Sequence, residues 1–131
     1  HLGKFPVSAV IISHSHMDHF GGIRGIVDET DVISGKVPII APKEFYQSAI
    51  SENIMAGNAM ARRASYMFGN LLPKNETGMI GSGLGQTTSV GLPGILKNTD
   101  TISSFEGETR IVDGVKIEFI YTPESEAPAD R

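Results

Sequence analysis

Three histidines and one aspartate lie close enough together in the sequence to form a metal site. Three of the chain's four histidines, His14, His16 and His19, fall within six residues, and Asp18 lies between the last two. Side chains two positions apart on an extended chain leave the same face, so His14 and His16 can converge on one ion. If the chain then turns into a helix, Asp18 and His19 can point to a second position nearby.

The chemistry of these side chains favours metal binding over the alternative, a solvated polar turn in which Asp18 caps a helix. Imidazole and carboxylate are ligands that suit zinc and similar divalent metals. Two such ions about 4 Å apart can activate a water molecule, because a bound metal lowers the pKa of water from about 15.7 to roughly 7. The pattern therefore predicts a metal-dependent hydrolytic site.

Hydrophobic patterning predicts that the motif follows a strand in a mixed α/β chain. The expected elements, in order, are a buried strand at 7–13, a short helix at 20–27, a second strand at 37–41, helices over 43–68 with a break near 56–58, and a hairpin of strands 109–112 and 115–121. Asp113-Gly114 is the turn signal of that hairpin. Residues 69–100 are rich in glycine and are predicted to form a long loop. A methionine-rich set of apolar side chains in the helical stretch is expected to pack in the core, with contact to an alkyl chain as the alternative: Met55, Met60, Tyr66, Met67 and Phe68.

Composition sets further limits on function. The chain has 131 residues, a formal net charge of −4 and 40% hydrophobic residues, as expected of one globular domain. A mildly acidic chain is a poor candidate for binding nucleic acid. No apolar run of about 18 residues is present to span a bilayer. The absence of cysteine excludes disulfides, thiolate metal ligands and cysteine nucleophiles.

The motif His14-x-His16-x-Asp18-His19 resembles the signature of the metallo-β-lactamase superfamily. Further stretches resemble its alkylsulfatase branch: Glu52-Asn53, Ala56 to Met60, Arg62-Arg63, Tyr66-Met67, Gly69 to Pro73, Gly83 to Gly85, Thr87-Thr88, Thr122-Pro123 and Glu126 to Ala129. This resemblance implies an α/β fold of the metallo-β-lactamase-like αβ/βα sandwich type. It also implies that the sandwich is incomplete, with residues 1–131 forming a fragment of the N-terminal half of the catalytic domain.

The resemblance also implies a set of metal ligands. His14 and His16 would hold one zinc ion, and Asp18 and His19 would hold a second. Glu126 matches an acidic ligand of the family, so it is the fifth candidate. The family has glycine where this chain has Glu124, which makes Glu124 a rival carboxylate. A further departure is Asp130-Arg131, and the family's remaining acidic and histidine ligands would lie beyond Arg131.

The implied activity is hydrolysis of small-molecule alkyl sulfate esters by metal-activated water, with C–O and S–O cleavage both open. Asn53 and Asn58 are candidate substrate-binding residues. The resemblance implies a bacterial parent protein that is a homodimer and is periplasmic or secreted. Two alternatives remain: another hydrolase of the superfamily, such as a thioesterase or lactonase, or a metal-binding or structural fragment with no activity of its own.

Overall fold

A computed structural model describes residues 5–83, 85–86 and 91–127 of the chain. The parts of the resemblance at Leu84, Thr87 and Thr88, and everything from Pro128 onward including Asp130-Arg131, lie outside the described residues. Within the described ranges, no helix is long and apolar enough to cross a membrane.

The described elements alternate between strands and helices before the closing hairpin. The strands are β1 Val10–Ile11, β2 Ile39–Pro42, β3 Asp100–Ile102, β4 Glu108–Val112 and β5 Val115–Phe119. The α-helices are α1 Met17–Phe20, α2 Glu29–Ile33, α3 Phe45–Ile50 and α4 Gly57–Phe68. A 3₁₀ turn lies at Ile23–Gly25, and a π-helical turn at Ser51–Met55, called the π turn below, joins α3 to α4. The chain is therefore mixed α/β, as predicted.

A parallel sheet forms the centre of the fold. Its strand order is β1-β2-β3, with Val10 paired to Ile39 and Ile40 paired to Asp100. All four residues of β2 are buried, which is typical of the central strand of a parallel sheet covered on both faces. Because the strands are parallel, the loops that follow β1 and β2 leave from the same edge of the sheet.

Alternate residues of β2 belong to different cores. Ile39 and Ala41 pack with Ile12, Phe45 and other residues of the helical side. Ile40 packs in a second cluster, whose buried members are Ile102, Phe119 and Tyr121 from β3 and the hairpin side. Since successive side chains of a strand point to opposite faces, the sheet has helices on one face and the hairpin on the other.

The hairpin forms where its turn signal predicts. Asp113 and Gly114 both have positive φ angles, 51° and 78°, as the two central residues of a type I′ turn require. Strand β4 pairs antiparallel with β5, from Val112–Val115 next to the turn to Glu108–Phe119 at the far end. Strand β5 ends at Phe119, two residues short of the prediction.

The helical predictions hold in outline and differ in detail. The predicted break in residues 43–68 is confirmed at Ala56, between the π turn and α4. The helix predicted at 20–27 is instead α1, which ends at Phe20, followed by the separate 3₁₀ turn. Helix α1 ends there because the consecutive glycines Gly21 and Gly22 are poor helix formers.

The prediction that the methionine-rich set packs in the core is wrong for three of its members. Met55, Tyr66 and Met67 are exposed, by 83%, 91% and 62%. Helix α4 has no buried residue, and within the described residues it packs mainly against the π turn. Met60 and Phe68 are half-buried, and neither belongs to the two buried core clusters.

Candidate metal centre

The histidine motif lies in the loop that follows β1. Ile12 anchors this loop in the core with 1% exposure, and His14 and Ser15 are buried as well. The N–H of Ile12 donates to the carbonyl of Ile40, so the loop leaves from a fixed position beside the central strand. The short helix α1 then begins at Met17 and carries Asp18 and His19. The strand, loop and helix order is the one that the sequence predicts for this motif.

Three side chains bring potential ligand atoms together at this edge. His14 Nε2 lies 3.1 Å from His16 Nδ1 and 3.8 Å from Glu126 Oε1. The three residues offer ligand atoms that all lie within 4.8 Å of one another. Zinc–nitrogen and zinc–oxygen bonds of about 2.0–2.1 Å in a tetrahedral site place neighbouring ligand atoms roughly 3.4 Å apart. The spacing of His14, His16 and Glu126 therefore fits one metal ion.

Asp18 and His19 form a second pair beside this group. His19 Nε2 lies 3.5 Å from Asp18 Oδ2, a separation that also fits two ligands of one ion. The ring of His19 lies against that of His14, with 3.9 Å between ring centroids. Among the described residues, no third histidine or carboxylate joins Asp18 and His19 in a ligand group. The pair is thus adjacent to the first group and less complete.

Ser13 links His14 and His19 through their Nδ1 atoms, on the other side of each ring from the Nε2 atom that lies near a carboxylate. Its Oγ lies 3.0 Å from His14 Nδ1 and 3.2 Å from His19 Nδ1. One hydroxyl therefore holds both rings so that their Nε2 atoms are directed to Glu126 and Asp18. Sequence reasoning overlooked Ser13, although a hydroxyl immediately before an H-x-H motif is a signal that could have found it.

The π turn contacts the motif from the helical side. Glu52 Oε1 lies 3.5 Å from His16 Nε2. The next residue, Asn53, donates from Nδ2 to the carbonyl oxygens of Ser15, at 3.3 Å, and Ala49, at 2.9 Å. Glu52 Oε2 is buried, and no hydrogen-bond partner is found for it among the described residues. In the sequence analysis, Glu52 is named only as part of a stretch that resembles the alkylsulfatase branch.

The remaining candidates occupy different surroundings. Asn58 is exposed in the first turn of α4, so it and Asn53 do not share one environment, and a role for either in binding substrate stays a prediction. Glu124, the rival of Glu126, is exposed and adopts a left-handed φ of 63°. Among the described residues, Glu126 and not Glu124 joins the histidine ligand group.

The chain is thus a mixed α/β protein with a candidate metal centre at one edge of its parallel sheet, and comparison with known proteins identifies its family. The sequence profile of the metallo-beta-lactamase superfamily matches residues 1–115. The chain therefore belongs to this superfamily, which confirms the resemblance noted from the histidine motif and the expected fold.

Individual relatives place the chain near the alkylsulfatases. It is 56% identical to a linear primary-alkylsulfatase from Pseudomonas sp. over 99% of its own length and 19% of the relative's. It is 46% identical to the alkyl/aryl-sulfatase BDS1 of Saccharomyces cerevisiae, over 99% of the chain and 20% of that protein. The structure of the stereoselective inverting sec-alkylsulfatase Pisa1 from Pseudomonas sp. matches with a TM-score of 0.90 at 46% identity, again over 99% of the chain and 20% of its length. The chain thus spans about a fifth of the length of the relatives that it matches.

Proposed function

We propose that residues 1–131 form a fragment of the catalytic domain of a zinc-dependent alkylsulfatase, called the parent protein below. The observation that carries this proposal is the convergence of His14, His16 and Glu126 on one position. The alkylsulfatase names of the relatives supply the substrate class, small-molecule alkyl sulfate esters. The proposed parent is a homodimer, which a mass measurement by light scattering would test.

In this proposal each side chain of the site has a distinct part. His14, His16 and Glu126 would hold one zinc ion, and Asp18 and His19 would contribute to a second. Bound zinc supplies a Lewis acid that activates water and offsets the negative charge developing on the departing sulfate. Ser13 keeps the rings of His14 and His19 in orientations that direct Nε2 towards Glu126 and Asp18, the carboxylates with which they would hold the ions. The burial of His14 and Ser15 keeps solvent away from one side of the site and strengthens its electrostatic interactions.

We also propose that the parent breaks the C–O bond of the ester. Pisa1 is described as an inverting enzyme, and inversion at carbon requires that a bond to this carbon be broken. Hydrolysis in water enriched in oxygen-18 tests the point: C–O cleavage places the label in the alcohol, and S–O cleavage places it in the sulfate.

The first test is the zinc content of the purified chain. We expect one tightly bound zinc ion, because three protein ligands with a water in the fourth position suffice for a zinc site. His16→Ala and Glu126→Gln should each lose most of this zinc. Glu76→Gln removes the same charge at an exposed position and should retain it. Equal zinc contents in Glu126→Gln and Glu76→Gln would contradict the proposed ligand set.

The substrate class needs a separate test on the parent protein. Sulfate release from dodecyl sulfate should exceed the opening of thioesters and lactones, and it should fall by at least a hundredfold in His16→Ala. Preferential thioester or lactone hydrolysis would place the parent with other hydrolases of the superfamily instead.

A further inference from the structure

We propose that Glu52 is a positioning residue whose carboxylate orients the ring of His16 for metal binding, an inference that rests on the proposed metal site. The two nitrogen atoms of His16 face different partners. Nδ1 lies 3.1 Å from His14 Nε2, on the side of the candidate metal position. Nε2 lies 3.5 Å from Glu52 Oε1. Histidine ligands commonly donate their second ring N–H to a carboxylate, which fixes the orientation of the ring.

The burial of Glu52 is a second, independent observation. Its side chain is 21% exposed, compared with 67% for Glu126 and 79% for Asp18. Its Oε2 is buried without a hydrogen-bond partner among the described residues. Because a carboxylate oxygen without hydrogen bonds is costly to bury, a packing role alone does not account for an acid at this position. Orienting the ring of the neighbouring His16 does account for an acid at this position.

The π turn explains how a helix delivers this carboxylate to the loop. The chain continues from α3 directly into Ser51–Met55, where the π-helical spacing widens the helix by one residue per turn. Such insertions are frequent at functional sites. Asn53 ties the same turn to the loop through the carbonyl of Ser15, the residue between His14 and His16. Backbone and ring are thus held by neighbouring residues of one turn.

The geometry separates this role from direct ligation. Glu52 approaches His16 through Nε2, whereas Nδ1 is the atom that faces His14. Within the described residues, the ligand group consists of His14, His16 and Glu126, without Glu52. Replacing Glu52 should therefore weaken zinc binding without reducing the number of zinc ions bound.

The test measures zinc affinity of the parent protein by competition with a chelator. We expect Glu52→Ala to raise the zinc dissociation constant about 10- to 100-fold, the usual effect of removing a carboxylate that supports a histidine ligand. Glu52→Gln keeps the shape of the side chain and one oxygen acceptor, so it should lose less zinc affinity than Glu52→Ala. Glu76→Gln is the matched control at an exposed site and should bind as the unsubstituted protein does. If Glu52→Ala does not fold, the test is the zinc affinity of Glu52→Gln compared with that of Glu76→Gln.

Two further measurements distinguish the outcomes. Nitrogen-15 spectra of the zinc-loaded parent should show His16 with its proton on Nε2, and this signal should be altered in the Glu52 variants and unchanged in Glu76→Gln. A zinc affinity of Glu52→Ala within twofold of that of Glu76→Gln would overturn the inference and leave the proposed function intact. A loss of one whole zinc ion in Glu52→Ala would make Glu52 a ligand and overturn the positioning role. An unsubstituted parent that binds no zinc overturns the proposed function itself.

Discussion

At the scale of single residues, the backbone beside Glu126 is strained. Glu124 has a φ of 63°, a left-handed conformation that costs a residue with a β-carbon about 1–2 kcal/mol. Its N–H donates to the carbonyl of Ala127 at 3.1 Å, which closes a turn around Glu126. The turn thereby holds the Glu126 carboxylate near His14, and glycine, which the family resemblance gives at position 124, would adopt the same conformation without strain.

Glu124→Gly is therefore expected to stabilise the protein. The relief of strain exceeds the extra chain entropy that glycine loses on folding, so we expect a gain of about 0.5–1 kcal/mol in the free energy of unfolding, measured with urea. Glu76→Gly, at an exposed position without a positive φ, should give no gain or a small loss. A decrease in stability for Glu124→Gly would show that the side chain contributes more than the backbone loses.

The candidate metal ligands differ in how far the sequence predicts them. The spacing of His14, His16, Asp18 and His19 is local, so periodicity alone predicts how they converge. Glu126 came only from the family resemblance, because nothing in its own surroundings marks it as a ligand. The contacts of the π turn could not be foreseen, since they join Asn53 to a residue 38 positions away and depend on an irregular helix.

At the scale of elements, a cluster of ion pairs joins the sheet to the hairpin. Arg110 on β4 donates from Nε and Nη2 to the two carboxylate oxygens of Asp100 on β3, at 2.6 and 2.9 Å, and from Nη2 to Glu108 at 2.9 Å. The hydrogen bonds from Arg110 hold the pKa of Asp100 below its ordinary value. Backbone N–H groups of Ser103 and Ser104, with a smaller contribution from Arg110, lower the pKa of Glu108.

Arg110→Met is expected to lower the free energy of unfolding at neutral pH and to make that free energy depend less on pH in the acidic range. Because both carboxyl groups have lowered pKa values when folded, their stabilisation is complete above their ordinary values near 4 and is lost as the pH falls through the folded values. We expect a loss of about 1 kcal/mol at pH 7 for this partly exposed bidentate pair, shrinking below pH 4.

The measurement is urea unfolding at several pH values. Lys36→Met breaks the more exposed pair of Lys36 with Asp31, whose side chains are 69% and 35% exposed, and should change stability by only a few tenths of a kcal/mol. Arg110→Met and Lys36→Met should not lose equal amounts of unfolding free energy. Equal losses, or a difference between them that grows as the pH falls, would contradict the proposed contribution of Arg110.

The elements themselves were predictable where local patterns are strong. The Asp113-Gly114 turn and the break near Ala56 are confirmed. Strand β3, in contrast, is only three residues long and lies at the end of a glycine-rich stretch without periodicity. Its place in the sheet depends on pairing with β2, a long-range contact that no local pattern contains.

At the scale of the whole molecule, the candidate metal centre joins the two ends of the described fold. His14 and His16 follow the first strand, and Glu126 follows the last. Every described helix and strand after β1 lies between these residues in the sequence. A metal ion held by all three would link the loop after β1 to the segment after β5, so its binding should stabilise the fold as a unit.

We therefore expect zinc to stabilise the chain. An ion that binds only the folded state stabilises it by about 2.7 kcal/mol when free zinc is a hundredfold above its dissociation constant. Thermal unfolding should shift upward with zinc concentration, and magnesium should have little effect because it prefers oxygen ligands and retains its water. His16→Ala should remove the zinc-dependent shift while Glu76→Gln retains it. An equal shift in His16→Ala would mean that zinc stabilises the chain through a site other than the histidine loop.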